Sequence, residues 1–320
     1  MACLAVVMFL LTTICFAETN WNLQAVDGDG VSTYPLINSQ SKITIEGIIL
    51  NKPGYMVNHP EGEWQIFIQG EDGDHAGTAV YMRKNNFGPT YTEQEWADEL
   101  YRISNDPCGN YEFQPGDRVR VTGLTWFYGG KANINEQHSL DPANDFTIDL
   151  IDPAPGLPEP EVITLNMVKD GNNNFIFDHT RMQGCEYYQG TLVRVNDVNI
   201  SGGVWEPNQT VIIKDSAGLT FNVKLGWGDG FAGYPMPTGQ IDVIGIFNQE
   251  DPTFPYTGGY EIGVVNYDGN GSVLTDNCGL NGYFAGDINK DCMINFEDFA
   301  ILAADWLKCS NPSYDECTIP

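Results

Sequence analysis

The sequence has 320 residues, which is enough for two or three domains of ordinary size. Hydrophobic residues make up 42% and charged residues 18%, a balance typical of globular chains and too apolar for a disordered one. Acidic residues number 43 against 15 basic residues, which gives a formal net charge of −28. Because contacts to phosphate dominate nucleic-acid affinity, nucleic acid and anionic membranes are not expected as partners. The same excess of carboxylates suits cation binding and keeps an exported protein soluble.

The N-terminal residues have the pattern of a secretory signal. Residues 2–17 are almost wholly apolar, and the run stops at Glu18, directly after the small residue Ala17. We therefore expect residues 1–17 to be a signal peptide of a secreted protein, although no basic residue precedes the apolar run. A buried N-terminal strand is the alternative. No second segment approaches the length of a membrane-spanning helix, so no integral membrane span is expected.

Eight cysteines are present, of which Cys3 and Cys15 belong to the predicted signal. The other six are Cys108, Cys185, Cys278, Cys292, Cys309 and Cys317. An even number of cysteines in an exported protein permits disulfide bonds, and a small module such as 277–320 needs them most. The sequence does not fix their pairing. None of the spacings is that of a zinc site.

Two β-rich segments flank the sequence IDPAPGLPEPE at 151–161, whose four prolines predict a stiff, extended linker over 151–162. Alternating apolar and polar residues, rich in β-branched and aromatic types, predict the strands on both sides. Before the linker these strands are 43–50, 63–69, 77–82, 117–124, 131–136 and 146–151, with a helix over 93–103. After the linker they are 190–200, 209–215, 219–225, 240–248 and 260–267.

Each segment has the strand order of an OB fold, a meander of three strands followed by two more, with room for a helix between the third and fourth. The phrases IEGIIL, WQIFIQG, VYM and GDRVRVTG resemble bacterial extracellular OB-like modules. The resemblance covers about 43–150 and, more weakly, 163–275. We therefore expect a mainly β protein with two tandem OB-like β-barrel modules, at 18–150 and 163–276. Two small immunoglobulin-like sandwiches are the alternative.

The sequence GDINKDCMINFEDF, which begins at Gly286, has the spacing of a 12-residue calcium loop. Such a loop needs oxygen ligands at positions 1, 3 and 5, a backbone carbonyl at position 7 and a carboxylate at position 12. Counted along this sequence, the predicted ligands are Asp287, Asn289, Asp291, Met293 through its carbonyl, Asn295 at position 9 and Asp298. Because Ca²⁺ prefers oxygen ligands and the aspartates would otherwise repel one another, the pattern predicts a calcium site.

An amphipathic helix is predicted directly after this loop. We expect Ile294, at position 8, to face inward and anchor the loop. The apolar residues that recur at helical spacing are Phe296, Phe299, Ala300, Ala303 and Leu307. We expect most of this face to form the core of a small module at 277–320, and part of it to dock a partner.

The pattern Asp-x-Asn-x-Asp-x-x-Ile-Asn-x-x-Asp and the helix after it resemble a dockerin, the module that attaches secreted polysaccharide-degrading enzymes to cohesin domains. This resemblance covers 277–320 and implies a cohesin-like or cell-surface partner in extracellular polysaccharide degradation. The chain differs in having one good loop instead of two, and Cys292 at position 6, where glycine is usual. Single-loop, cysteine-bearing tails of this kind resemble those of many secreted planctomycete proteins. Calcium binding is therefore implied more directly than cohesin binding.

Aromatic residues in glycine-rich loops are the candidates for ligand binding by the β-modules. They are Trp126 and Tyr128 in the first module and Trp205, Trp227 and Tyr234 in the second. Exposed rings at these positions would stack on sugars, giving carbohydrate binding, whereas the alternative is that they plug the ends of the barrels.

The sequence contains no recognisable catalytic signature, since the four histidines lie in polar loops and carboxylates are too abundant for one pair to stand out. The main hypothesis is a secreted, non-catalytic binding or adaptor protein attached through a calcium-dependent tail. One alternative is a secreted hydrolase that acts on a glycan or a phosphoester through an unrecognised site. The other is a structural cell-surface protein.

Overall fold

The computed structural model describes residues 18–71, 73–85, 90–107, 111–269, 273–274, 286, 294 and 296–305. The strands are β1 (Ile43–Ile49), β2 (Glu63–Gln69), β3 (Gly77–Arg83), β4 (Arg118–Tyr128), β5 (Lys131–Asn135), β6 (Thr147–Asp152), β7 (Glu161–Ile163), β8 (Leu192–Gly203), β9 (Thr210–Lys214), β10 (Thr220–Leu225), β11 (Ile241–Gln249), β12 (Tyr260–Val264) and β13 (Val273–Leu274). The α-helices are α1 (Asn20–Leu23), α2 (Glu93–Ser104), α3 (Leu165–Val168), α4 (Gly230–Gly233) and α5 (Phe296–Asp305). Two 3₁₀ turns span His59–Glu61 and Cys185–Tyr188. The predicted signal lies outside the described residues.

The first module is a closed five-stranded barrel with the order β1-β2-β3-β5-β4-β1, and β6 pairs with the outer edge of β4. The β3–β5 pair is parallel and the other pairs are antiparallel. Along β2, Trp64, Ile66 and Ile68 alternate into the barrel core, as the period-2 pattern predicts. This is the strand order and closure expected of an OB-like barrel.

Helix α2 lies between β3 and β4 in the chain, where the sequence predicts a helix. It begins with a capping box, in which the Thr92 side chain accepts from the Glu95 N–H and the Glu95 carboxylate accepts from the Thr92 N–H. Its inner face buries Trp96 and Ile103 against the barrel core.

The second module closes in the same way, as β8-β9-β10-β12-β11-β8, with a parallel β10–β12 pair. Strands β7 and β13 extend the sheet at its two edges. Its core is built from alternating residues such as Val211, Ile213, Phe221 and Val223. The prediction of a mainly β protein with two tandem OB-like barrels is therefore confirmed, and the immunoglobulin-like alternative is wrong. Among the described residues, no helix is long and apolar enough to cross a membrane.

The proline-rich stretch does not hold the two barrels apart. Strand β6 ends at Asp152 and β7 begins at Glu161, so only 153–160 lacks regular secondary structure. Within it, the Ala154 N–H donates to the Asp117 carboxylate over 2.7 Å, and Leu157 packs against residues of both barrels. The segment therefore runs along a contact between the modules.

The barrels dock through outward-facing residues of their sheets. The apolar cluster between them contains Leu50, Phe67 and Ala79 from the first module and Leu192, Ile244 and Ile246 from the second, with Met56 and Leu157 at its margin. All six main members are buried. Because these side chains point away from the core of their own barrel, their burial between the modules stabilises the docked arrangement.

A buried cation adds polar contacts to the same interface. The Lys131 side chain is almost inaccessible to solvent, and its Nζ lies 2.6 Å from both Asn248 Oδ1 and Glu250 Oε1. Nearby, the Asn248 amide donates to Glu261, and burial raises the pKa of the Glu261 carboxyl. Because Lys131 belongs to the first barrel and its partners to the second, this contact fixes their register.

Another polar contact between the modules involves His75, which the sequence places among solvated loop histidines. The ring is only partly exposed and stacks on Tyr187 with 4.2 Å between ring centroids. Its Nδ1 lies 3.0 Å from the Tyr187 carbonyl and its Nε2 lies 2.6 Å from the Glu161 carboxylate. The histidine therefore links the β2–β3 turn to the second module.

Two glycines meet where the barrels approach most closely. A Cβ at Gly77 would lie 2.0 Å from the Gly190 carbonyl oxygen, and a Cβ at Gly190 would lie 2.3 Å from the Gly77 oxygen. The Gly77 N–H also donates to the Gln189 carbonyl over 2.9 Å. Both positions must lack a side chain for the two backbones to come this close.

Cys185, one of the six cysteines considered for disulfide bonds, is a free and fully buried thiol. It lies in the core of the second module, where its Sγ donates to the Val168 carbonyl over 3.3 Å. Burial raises the pKa of this thiol. Cys185 is thus a core residue, and its inclusion in the disulfide set is wrong. The other five cysteines lie outside the described residues.

We expect Gly77→Ala to destabilise the protein by about 1–3 kcal/mol, because the added methyl group would clash with backbone that cannot rotate away. Gly28→Ala is the matched control, since a Cβ there meets nothing within 4 Å. Urea unfolding of both variants measures the difference. Equal stability of the two would contradict the docking described here.

Candidate functional site

The predicted calcium loop is only partly within the described residues. Asp287, Asn289, Asp291, Met293 and Asn295 lie outside them. Asp298, the predicted position-12 carboxylate, lies in the first turn of α5 and is 2% exposed. Gly286, which precedes the loop, lies close to Ile294, since a Cβ at Gly286 would be 3.3 Å from the isoleucine side chain.

Two expectations for this region are wrong. Ile294 contacts Gly286 but remains 63% exposed, so it does not face inward as predicted. The apolar face of α5 is not a core either, because Phe296 is 88% and Phe299 60% exposed. Ala300 and Ala303 are also exposed, and Leu307 lies outside the described residues. Helical periodicity places these residues on one face, but no described residue covers that face.

The five candidate aromatic residues do not form one site. Trp205 packs edge-on against Phe231 and Tyr267, and its Nε1–H donates to the Tyr234 carbonyl over 3.0 Å. Trp205 therefore plugs the end of the second barrel, as the alternative interpretation predicts. The Tyr234 ring beside it is 47% exposed.

The remaining three aromatic candidates lie elsewhere. Trp126 and Tyr128 are two residues apart on β4, with Trp126 against the His138 ring and Tyr128 59% exposed. Trp227 follows β10 and lines a cleft between the two modules. Of the five, Trp227 is the one that lines this cleft.

This cleft has a volume of about 470 Å³, and its lining comes from the β1–β2 loop, the start of β2, α2 and the segment before β4 of the first module, with Trp227 from the second. We call it the loop cleft. Its aromatic lining consists of Tyr55, Trp64, Phe113 and Trp227, and its polar lining includes Lys52, His59, Ser104, Glu112 and Gln114. The volume and the mixture of aromatic and polar groups are typical of small-molecule binding sites.

Backbone contacts hold the two sides of the loop cleft together. The Trp227 N–H donates to the Tyr55 carbonyl over 2.6 Å. A Cβ at Gly226 would lie 2.2 Å from that same carbonyl oxygen, so a glycine is needed for the approach. The Trp64 Nε1–H donates to Ser104 Oγ over 3.2 Å, which fixes the base of the cleft against α2. The site is therefore built by both modules.

Sequence reasoning missed this site because no single segment contains it. It found Trp227 as an aromatic residue in a glycine-rich loop, but it did not pair that residue with the β1–β2 loop. The available indication was the loop sequence NKPGYMVNHPEGE at 51–63, since the loop between the first two strands is a common binding element of OB folds.

A second group of titratable residues, also not predicted, lies at the end of the first barrel. The carboxylates of Glu99, Glu136 and Asp145 offer oxygen atoms within 4.8 Å of one another, and we call them the acid cluster. The Arg102 guanidinium lies among them, 2.5 Å from Glu99, 3.2 Å from Glu136 and 4.0 Å from Asp145. The Tyr91 hydroxyl donates to Glu136 over 3.0 Å.

The acid cluster holds α2 on the barrel. Burial, reinforced by the negative charges of Asp145 and Glu99, raises the pKa of Glu136 to about 7, although Tyr91 and Arg102 act in the opposite direction. Burial also raises the pKa of the Asp145 carboxyl. One guanidinium therefore faces three carboxyl groups, and the pKa values of two of them, Glu136 and Asp145, are raised.

Comparisons with known proteins supply no family for this chain. No family model matches the sequence, and no curated protein is significantly similar to it. Two solved structures are similar to this chain. The first is described by the phrase "Molecular basis for abrogation of activation of pro-inflammatory cytokines" and the second by the phrase "Structural mimicry for functional antagonism". The first is 12% identical to this chain, has a TM-score of 0.28, and matches 69% of this chain and 87% of its own length. The second is 11% identical, has a TM-score of 0.26, and matches 69% of this chain and 88% of its own length.

A third similar structure is a murine DNA-binding protein bound with double-stranded DNA. It is 8% identical, has a TM-score of 0.26, and covers 69% of this chain and 93% of its own. At TM-scores this low, the similarities imply nothing about the function of this chain.

We expect the acid cluster to make stability fall as the pH rises from about 4.5 to about 7. The pKa of Glu136 is higher in the folded state than its ordinary value of 4.5, so folding is coupled to uptake of a proton between these two pH values. The protonated Glu136 contributes to the free energy of unfolding below about pH 4.5, and this contribution is lost as the pH rises through the folded-state pKa. Urea unfolding at several pH values measures the slope for wild type and Glu136→Gln. The variant should show a shallower slope, whereas Glu159→Gln, at an exposed position, should match wild type. Identical slopes for wild type and Glu136→Gln would contradict the assignment.

Proposed function

We propose that this chain is a secreted, non-catalytic binding protein with a calcium-dependent, dockerin-like tail. The tandem OB-like barrels form the binding part, and 277–320 attaches them to a cohesin-like domain or another cell-surface partner. The setting that the resemblance implies is extracellular polysaccharide degradation. The predicted signal at 1–17 is the support for secretion.

The spacing of oxygen-bearing side chains up to Asp298 is the observation on which the calcium proposal rests. Asp298 is 2% exposed and stands at position 12 of a loop whose positions 1, 3 and 5 carry Asp287, Asn289 and Asp291. Gly286 and Ile294, which lie on either side of the first seven loop positions, are close to each other. These residues would hold Ca²⁺, whose binding would order the loop before α5.

The exposed face of α5 supports attachment to a partner. Phe296, Phe299 and Leu302 are all exposed, although their burial would be favourable. A protein that covered them would gain apolar contact area with a single short helix. The barrels, by contrast, bury their own cores and dock on each other.

We expect the full chain to bind calcium and Asp298→Asn to bind it at least about tenfold more weakly, because the loop loses a charged ligand. Isothermal titration with CaCl₂ after removal of bound metal measures this. Asp305→Asn is the matched control, since it removes the same charge from the far end of α5 and should bind calcium like wild type.

Thermal unfolding of the same variants tests whether calcium acts on the tail. Thermal unfolding in CaCl₂ and in EDTA should show that only the tail, and not the barrels, responds to the metal. No heat of calcium binding by wild type, or equal binding by Asp298→Asn and Asp305→Asn, would refute the calcium-dependent tail.

A further inference from the structure

We propose that the loop cleft binds a neutral oligosaccharide, with Trp227 and Tyr55 as the stacking residues. This inference rests on the proposed binding function and names its site and ligand class. The loop cleft is the concave site to which both modules contribute, and its volume of about 470 Å³ accommodates a short saccharide rather than an extended polymer.

The aromatic residues of the loop cleft suit the apolar face of a sugar ring. Trp227 and Tyr55 are partly exposed, whereas Trp64 and Phe113, which also line the cleft, are buried. The exposed pair lies on opposite sides of the boundary between the modules, joined by the hydrogen bond from Trp227 N–H to the Tyr55 carbonyl. Large, partly exposed rings offer wide contact area with little conformational entropy to lose on binding.

The polar residues of the loop cleft suit hydroxyl groups. Lys52 supplies a donor and Glu112 an acceptor, and neither side chain forms a hydrogen bond with another residue that the structure describes. The Gln114 amide donates to the Glu112 carbonyl over 2.9 Å, which leaves its oxygen available as an acceptor. Sugar hydroxyls both donate and accept, so they match a site that offers both kinds of group.

The charge of the site favours a neutral ligand. Lys52 and Glu112 contribute one charge of each sign, while the chain as a whole carries a net charge of −28. A polyanion would be repelled by the protein as a whole and would meet a single lysine in the cleft. A small cation would find one exposed carboxylate, too few ligands for a metal site.

Because the second barrel covers part of the first module's binding surface, the β1–β2 loop is the part that a ligand can reach. OB folds commonly bind through the face of strands 2 and 3 and the adjoining loops. In this chain Phe67 of β2 and Ala79 of β3 are buried against the second barrel. The β1–β2 loop stays partly exposed at Lys52 and Tyr55, so a ligand reaches the module there.

Titration of the full chain with defined oligosaccharides tests the proposal, with tryptophan fluorescence and isothermal calorimetry as readouts. The probes are cello-, xylo- and manno-oligosaccharides, with oligogalacturonate as the anionic comparison. We expect saturable binding of at least one neutral series. Trp227→Ala should weaken that binding at least about tenfold, and Lys52→Met, which leaves the aromatic residues in place, should weaken it several-fold.

Tyr128→Ala is the matched control, because it removes an exposed aromatic ring outside the loop cleft and should bind like wild type. Thermal unfolding checks that each variant is folded. If Trp227→Ala does not fold, the saccharide affinity of Lys52→Met tests the proposal instead. The proposal is overturned if no neutral series binds, if only oligogalacturonate binds, or if Tyr128→Ala loses binding while Lys52→Met keeps it. Calcium titration of the same samples reports on the tail separately, so failure of the saccharide site and failure of the proposed attachment are distinguishable.

Discussion

The contact between the two barrels determines most of what the molecule presents to its surroundings. At Gly77 and Gly190 the two backbones touch directly, and at Lys131 a charge of the first module is buried against Asn248 and Glu250 of the second. Burying an ammonium group costs free energy unless it is paired with good geometry, so the partners must stay in place. This constraint sets the position of the Trp227 loop against the β1–β2 loop. The Trp227 side of the loop cleft is therefore present only while the barrels are docked.

The secondary structure was largely predictable because each barrel strand alternates between core and surface. Strand β2 spans Glu63–Gln69, as the alternation in EWQIFIQ predicts, and its core residues are the expected ones. The same alternation marks Phe67 and Ala79 as outward-facing, but it says nothing about what covers them. Docking depends on shape and on two glycines far apart in the sequence. Periodicity contains no information on either.

The candidate site was less predictable for a related reason. A repeat of apolar residues in 296–307 shows which side chains share a helix face, but burial of that face requires a second surface. Phe296 and Phe299 are exposed, so the expected core is not formed among the described residues. The acid cluster likewise joins α2 to residues after β5 that are far from it in the chain. Both cases depend on tertiary contacts rather than on local pattern.

The buried thiol of Cys185 has a consequence for the redox chemistry of the chain. If Cys3 and Cys15 leave with the signal and Cys185 is enclosed in the second barrel, an odd number of sulfhydryl groups is left for oxidation. Disulfide bonds within one molecule then cannot include every one of these cysteines. At least one sulfur remains reduced or bonds to a different molecule. Covalent attachment is thus chemically open to this chain in addition to any metal-dependent contact.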